Sequence, residues 1–211
     1  MNNNHALWTA ATALVLALVA GCASAPRVDR YVAPPVGATW ITQQQDSGSY
    51  GNGRFDVPGR RAQRIWEGRE MIAFEGPQTT LLAMPNGNWV TVLGRDGKPA
   101  LSWDPPLSWD WPLEVGKSWT RQYKVKVHPQ NQETAFEARQ TVEAHEEVTV
   151  PAGTFKVFRV RTSDTLGNEN LQWFSPEHGI FVKQALQRTD KHVQGPGRRD
   201  SELKTFSAPA R

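Results

Sequence analysis

Alternation of apolar and polar side chains organises most of the chain. From Ser118 to His128, SWTRQYKVKVH places Trp119, Tyr123, Val125 and Val127 on one parity and Gln122, Lys124 and Lys126 on the other. A period of two with aromatic and β-branched residues predicts a half-buried antiparallel strand. Val148 to Arg161 reads as two β-rich runs around Pro151-Ala152-Gly153. Proline presets φ there and glycine takes the awkward last position, which predicts a hairpin. Pro85-Asn86-Gly87, Asp96-Gly97 and Pro176-Glu177-His178-Gly179 punctuate further runs such as TTLLAM, NWVTVL, NLQWF and IFVKQAL. Strands joined by tight turns at short spacing predict an all-β fold, an antiparallel sheet curled into a sandwich or half-open barrel.

One segment sets propensity against pattern. Gln132 to Glu147, QETAFEARQTVEAHEE, is rich in helix formers and poor in β-branched residues. Phe136, Ala138, Val142 and Ala144 nevertheless share strand parity, and a hairpin strand follows without a break. Pattern and context predict a strand.

The chain also repeats itself. Val36-Gly37-Ala38-Thr39-Trp40 returns 79 positions later as Val115-Gly116-Lys117-Ser118-Trp119. Each copy follows a proline-containing segment, opens a strand and leads to a Pro-containing turn. This predicts two antiparallel units, 36–114 and 115–207, sharing one sheet system within a single β-domain over 38–207.

The N-terminal stretch has no such alternation. Ala6 to Ala20, ALWTAATALVLALVA, carries no charge over fifteen residues. That is short of the roughly 20 residues a transmembrane helix needs. It suits the apolar region of a secretory signal, residues 1–21, with small residues before the cut. Leu18-Val19-Ala20-Gly21-Cys22 closely resembles the bacterial lipoprotein box, which implies cleavage before Cys22 and acylation of its sulfur and new amino group. MNNNH departs from the pattern in having no Lys or Arg. Cys22 is the only cysteine in 211 residues, so an intramolecular disulfide is excluded and an attachment point accounts for the thiol. Ala23 and Ser24, with no Asp after the cysteine, imply by the same resemblance sorting to the outer membrane, with the domain facing the periplasm. Residues 22–37, with three prolines, read as a flexible tether.

Cleavage of 21 residues from 211 leaves 190, enough for one large domain. The net charge of +3 reads as an ordinary solvated surface and gives no sign of a nucleic-acid partner. Eight of the nine tryptophans lie beyond the signal, so aromatic rings can build the core.

Three strings carry a family resemblance: Pro112-Leu113-Glu114-Val115-Gly116-Lys117-Ser118-Trp119, Val148-Thr149-Val150-Pro151-Ala152-Gly153-Thr154-Phe155 and Trp173-Phe174-Ser175-Pro176-Glu177-His178-Gly179. Together they resemble a large group of bacterial envelope proteins, mostly lipoproteins, grouped under domains of unknown function. The pattern covers roughly residues 112–182. The resemblance implies an antiparallel β-rich fold, an envelope location and a last strand over Glu202-Leu203-Lys204-Thr205-Phe206 that closes the sheet. It implies no reaction.

Chemistry-bearing motifs are scarce. His5, His128, His145, His178 and His192 show no pairing at zinc-ligand spacing. His145-Glu146-Glu147 lacks the second histidine of a metalloprotease helix, and no G-x-S-x-G or phosphate loop occurs. Neither catalysis, a metal nor a cofactor is expected. The distinctive remaining piece is Leu101 to Pro112, LSWDPPLSWDWP. Trp103, Trp109 and Trp111 either form an aromatic binding platform, with Asp104 and Asp110 as acceptors, or pack over the junction of the two units. The second reading is preferred because the segment leads straight into the second V-G-x-[ST]-W. Arg121, on the apolar parity beside Trp119, either caps an internal anionic ligand or simply snorkels or stacks on an indole, the latter preferred.

Two roles follow for a lipid-anchored, non-catalytic envelope protein. One is a binding or structural accessory that meets an envelope protein, cell-wall polymer or lipid. The other is a carrier of lipid or another hydrophobic ligand in a β-cavity. A contiguous cavity lined by Trp and Phe favours the carrier, and a filled core with exposed tryptophan favours the accessory.

Overall fold

The computed structural model describes residues 25–209. Its strands are β1 (Arg27–Val28), β2 (Thr39–Gly48), β3 (Gly53–Trp66), β4 (Arg69–Glu75), β5 (Thr80–Ala83), β6 (Trp89–Leu93), β7 (Pro99–Leu107), β8 (Leu113–Glu114), β9 (Ser118–Val127), β10 (Gln132–Val150), β11 (Gly153–Asp164), β12 (Asn168–Ser175), β13 (Ile180–Arg188) and β14 (Gly197–Ser207). No helix occurs among the described residues. Two antiparallel meanders, β2 to β7 and β9 to β14, join edge to edge through β7–β9 and β14–β2. The result is a closed twelve-stranded barrel; β1 and β8 pair separately. A half-open barrel leaves two strand edges bare, whereas pairing of β14 with β2 from Gly197↔Gly48 to Ser207↔Thr39 removes both.

The two V-G-x-[ST]-W segments do the same job. Gly37 and Gly116 have φ of 87° and 90°, left-handed values that favour glycine. The Gly37 N–H donates to Arg61 O and the Arg61 N–H returns to Ala38 O, both at 2.8 Å. Likewise Gly116 N–H donates to Val142 O and Val142 N–H to Lys117 O, both at 2.9 Å. Each segment thus locks the start of its meander onto the second strand.

Gln132–Val150 is one continuous strand despite its helix formers. Pairing with β9 on one side and β11 on the other satisfies its backbone and overrides propensity. Beyond the barrel wall the β10–β11 hairpin folds over β14: a register shift between Leu203 and Thr205 leaves the Leu203 carbonyl for the Ala152 N–H, 3.1 Å away. Val150, Phe155, Val157, Ile180, Val182 and Leu203 bury one another beneath that hairpin. The predicted last strand also starts earlier than expected, at Gly197, because Arg199 forms a two-pronged pair with the buried Asp46 at 2.8 and 2.6 Å. In β7, Pro105 and Pro106 sit where the register against β6 jumps from Ser102↔Thr91 to Leu107↔Trp89, an irregular stretch that tolerates residues without an N–H.

The segment read as a flexible tether is docked from Arg27 onward. Arg27 and Val28 pair with Glu114 and Leu113, and Tyr31 packs on Trp111 and Phe174 with ring centroids 6.3 and 6.0 Å away. Its prolines keep the backbone extended, but one large aromatic anchor and a two-residue strand hold it to the barrel. The signal segment and Cys22 lie outside the described residues.

A candidate ligand cavity

Strand directions bring four segments to one end of the barrel: the docked N-terminal stretch, the β7–β9 connection, the β5–β6 turn and the β12–β13 turn. Glycines permit the close approach. A Cβ on Gly87 would stand 2.7 Å from Tyr31 Cγ, and one on Gly179 would collide with the Val32 carbonyl. The Tyr31 hydroxyl donates to Gly179 O at 3.0 Å, and burial holds it protonated well above the usual phenol range, with nearby Arg61 opposing.

Beneath this roof lies a cavity of about 430 Å³. That is within the usual span of small-molecule sites. Its walls differ in character. Tyr31, Trp89, Trp109, Trp111, Phe174 and Phe181 line the roofed end. Trp109 meets Phe174 and Phe181 edge-on at 5.3 and 5.6 Å. Deeper along β10 to β13 the wall carries a patch of amides and a hydroxyl, Gln140, Thr162, Asn170, Gln172 and Gln184, with Ala138 and Phe136 following on β10. These residues form cross-strand rows: Gln140↔Thr162↔Asn170, then Gln172↔Gln184. Gln140 and Gln172 are more than nine-tenths buried. Such burial normally requires a hydrogen-bond partner, yet Gln140 Oε1 and Asn170 Oδ1 have none.

The tryptophan segment is fastened over the cavity by β9. Arg121 donates to Ser108 Oγ at 2.8 Å and to Asp110 Oδ1 at 2.9 Å, and Tyr123 OH reaches Ser108 O at 3.3 Å. Lys117 Nζ bonds the Asp110 and Pro112 carbonyls and approaches Asp110 Oδ2 at 3.0 Å. These cations, the Lys117 hydrogen bond first, hold the Asp110 carboxyl below its ordinary range. Trp109 and Trp111 therefore point inward, at once packed and cavity-lining. Trp103 packs instead beside Tyr123 and Phe136, 6.3 Å from Trp89. The Arg121 guanidinium stays half-exposed, as a snorkelling arginine does, and fastens the Ser108 and Asp110 side chains rather than an indole; the cation over the Trp119 indole is Lys117, at 5.9 Å.

Sequence reasoning passed over Tyr31, Phe174, Phe181 and the glutamine rows. A signal was present: Gln140 shares the parity of Phe136 and Ala138, and Gln172 that of Phe174. Polar amides on an apolar parity mark a wall that is buried but polar. Tyr31 had no signal, since its segment has no periodicity.

Elsewhere on the cavity-facing parity, buried Arg61 stands directly opposite Phe74. Its guanidinium donates to the Ala62 carbonyl, Nε has no acceptor, and burial lowers its pKa.

No protein-family model and no curated protein sequence matches the chain. Solved structures that resemble it include three from bacteria. A candidate lipoprotein from Parabacteroides distasonis ATCC 8503 aligns at 10% identity and TM-score 0.45, covering 85% of this chain and 100% of its own. An exported protein of YmcC-like fold from Bacteroides fragilis NCTC 9343 aligns at 12% identity and TM-score 0.47, with the same coverage. The hypothetical lipoprotein YmcC from Escherichia coli K12 aligns at 11% identity and TM-score 0.44, covering 82% of this chain and 86% of its own.

Proposed function

We propose that this chain is an exported, lipid-anchored binding module whose barrel holds one small amphipathic molecule without chemically changing it. The observation that carries the proposal is the two-faced cavity, aromatic at the roofed end and amide-lined below. At about 430 Å³ it has the size of a small-molecule site. A single medium-length acyl chain or a ring system of that size fits. Inward-turned Trp109 and Trp111 favour ligand binding within the barrel over a role based on an exposed tryptophan patch. The lipoprotein box at Cys22 supports anchoring in the envelope, with the outer membrane and the periplasmic face as the proposed site.

The test uses the Cys22→Ala chain, exported and purified without detergent, which keeps every cavity-lining residue among those described. Titration with the apolar fluorophore N-phenyl-1-naphthylamine should show saturable 1:1 binding, and native mass spectrometry of the protein as purified should show a bound small molecule. Ala138→Phe, at a buried cavity wall, should weaken fluorophore binding at least tenfold. Absence of both saturable binding and a co-purifying molecule would reject the proposal.

A further inference from the structure

We infer that the cavity selects a ligand whose polar end is uncharged and hydrogen-bonding, a hydroxyl or amide rather than a carboxylate, phosphate or ammonium. The inference rests on the binding reading above and adds the chemistry of the head group. Gln140 and Asn170 flank Thr162 in one cross-strand row, and both present carbonyl oxygens without a partner. A buried amide left unpaired is costly, and a bound donor relieves that cost. Each amide also carries N–H donors, so the row offers acceptors and donors side by side. A hydroxyl or amide can answer both at once.

Charge argues the same way. The cavity-lining residues include one ionisable carboxylate, Asp164, and no Lys or Arg. Asp164 is already committed to its own turn. Oδ1 accepts from the Leu166 and Asn168 N–H groups at 3.0 and 2.9 Å, and Oδ2 accepts from Asn168 Nδ2 at 2.9 Å. An anionic head would be desolvated here without a countercharge in the cavity lining itself, Arg61 not being part of it, and a cationic one would have to compete with those three donors for Asp164. Neutral amides cost a neutral head little desolvation and return hydrogen bonds that tail-only ligands cannot make.

The experiment fixes the tail and varies the head, with the Cys22→Ala chain and probes below their micelle concentrations: monodecanoylglycerol, decanoate, decyl phosphate and decyltrimethylammonium. Displacement of N-phenyl-1-naphthylamine should rank monodecanoylglycerol at least tenfold tighter than each charged probe. Gln140→Leu and Asn170→Leu should bring the four within about twofold of one another, each displacement being read against the fluorophore affinity measured for that variant. Equal or tighter binding of a charged probe would overturn the head-group inference, as would a preference that survives in both variants. If decanoate wins and Arg61→Met removes its advantage, the inference falls in favour of an anion site at Arg61. Failure of the fluorophore itself to bind would instead count against the binding reading.

Discussion

The Tyr31 hydroxyl donates to the carbonyl of Gly179 across 148 positions of sequence, at 3.0 Å. This bond ties the docked N-terminal stretch to the turn that joins β12 to β13. Two changes probe it differently. Tyr31→Phe keeps the ring and should cost about 1 kcal/mol, the net worth of one hydrogen bond. Gly179→Ala drives a methyl into the Val32 backbone at a φ of 67°, and should cost about 1–3 kcal/mol through strain while releasing the N-terminal segment. Limited proteolysis before residue 37 should accelerate in Gly179→Ala and hardly change in Tyr31→Phe. Equal protection in all three proteins would show that the roof is not held at this point.

Asp46 is almost wholly buried and its pairing with Arg199 joins β2 to β14, the seam that closes the barrel. Asp46→Ala strands the Arg199 guanidinium and should lower stability by about 3 kcal/mol, the low end for breaking a buried pair, since a third of Arg199 remains in solvent. The double variant Asp46→Leu with Arg199→Met should recover most of that loss, because removing both charges removes the desolvation burden. Urea denaturation of the four proteins measures the coupling, and additive losses would show the pair to be incidental to closure.

Asp110 makes the tryptophan strap pH-sensitive. Lys117 and Arg121 hold its folded pKa below the unfolded value, which is about 3.9. A lowered carboxylate pKa stabilises the fold fully above the unfolded value and loses that contribution as pH falls through the folded one. Acrylamide quenching of Trp109, read as the difference between wild type and Trp109→Phe, should therefore rise below about pH 4. In Asp110→Asn it should already be raised at pH 7 and change little on acidification. A wild-type profile that is flat to pH 2 would exclude this carboxylate as the fastening.

Membrane attachment is predicted to depend on Cys22 alone. Cys22→Ala should move the protein to the soluble fraction with its β-sheet circular dichroism unchanged, since two or more acyl chains suffice for stable anchoring. Retention of the variant in membranes after a high-salt wash would require a second attachment.

What the sequence determined by itself was local. Period-two alternation, Pro-Ala-Gly and the paired V-G-x-[ST]-W segments set strands and turns because side-chain parity and backbone φ act over a few residues. Even Gln132–Val150 was legible as a strand, since parity outlasted its helix-forming composition. Closure, by contrast, depends on Gly48 meeting Gly197 and Asp46 meeting Arg199, contacts between positions about 150 apart that no local pattern encodes. The inward turn of Trp109 and Trp111 depends on Arg121 reaching over from β9 and Lys117 from the turn that precedes it. The polar wall arises only when β10, β11, β12 and β13 lie side by side. Amide side chains dispersed over three of these strands then become, through register, two adjacent rows on the cavity wall.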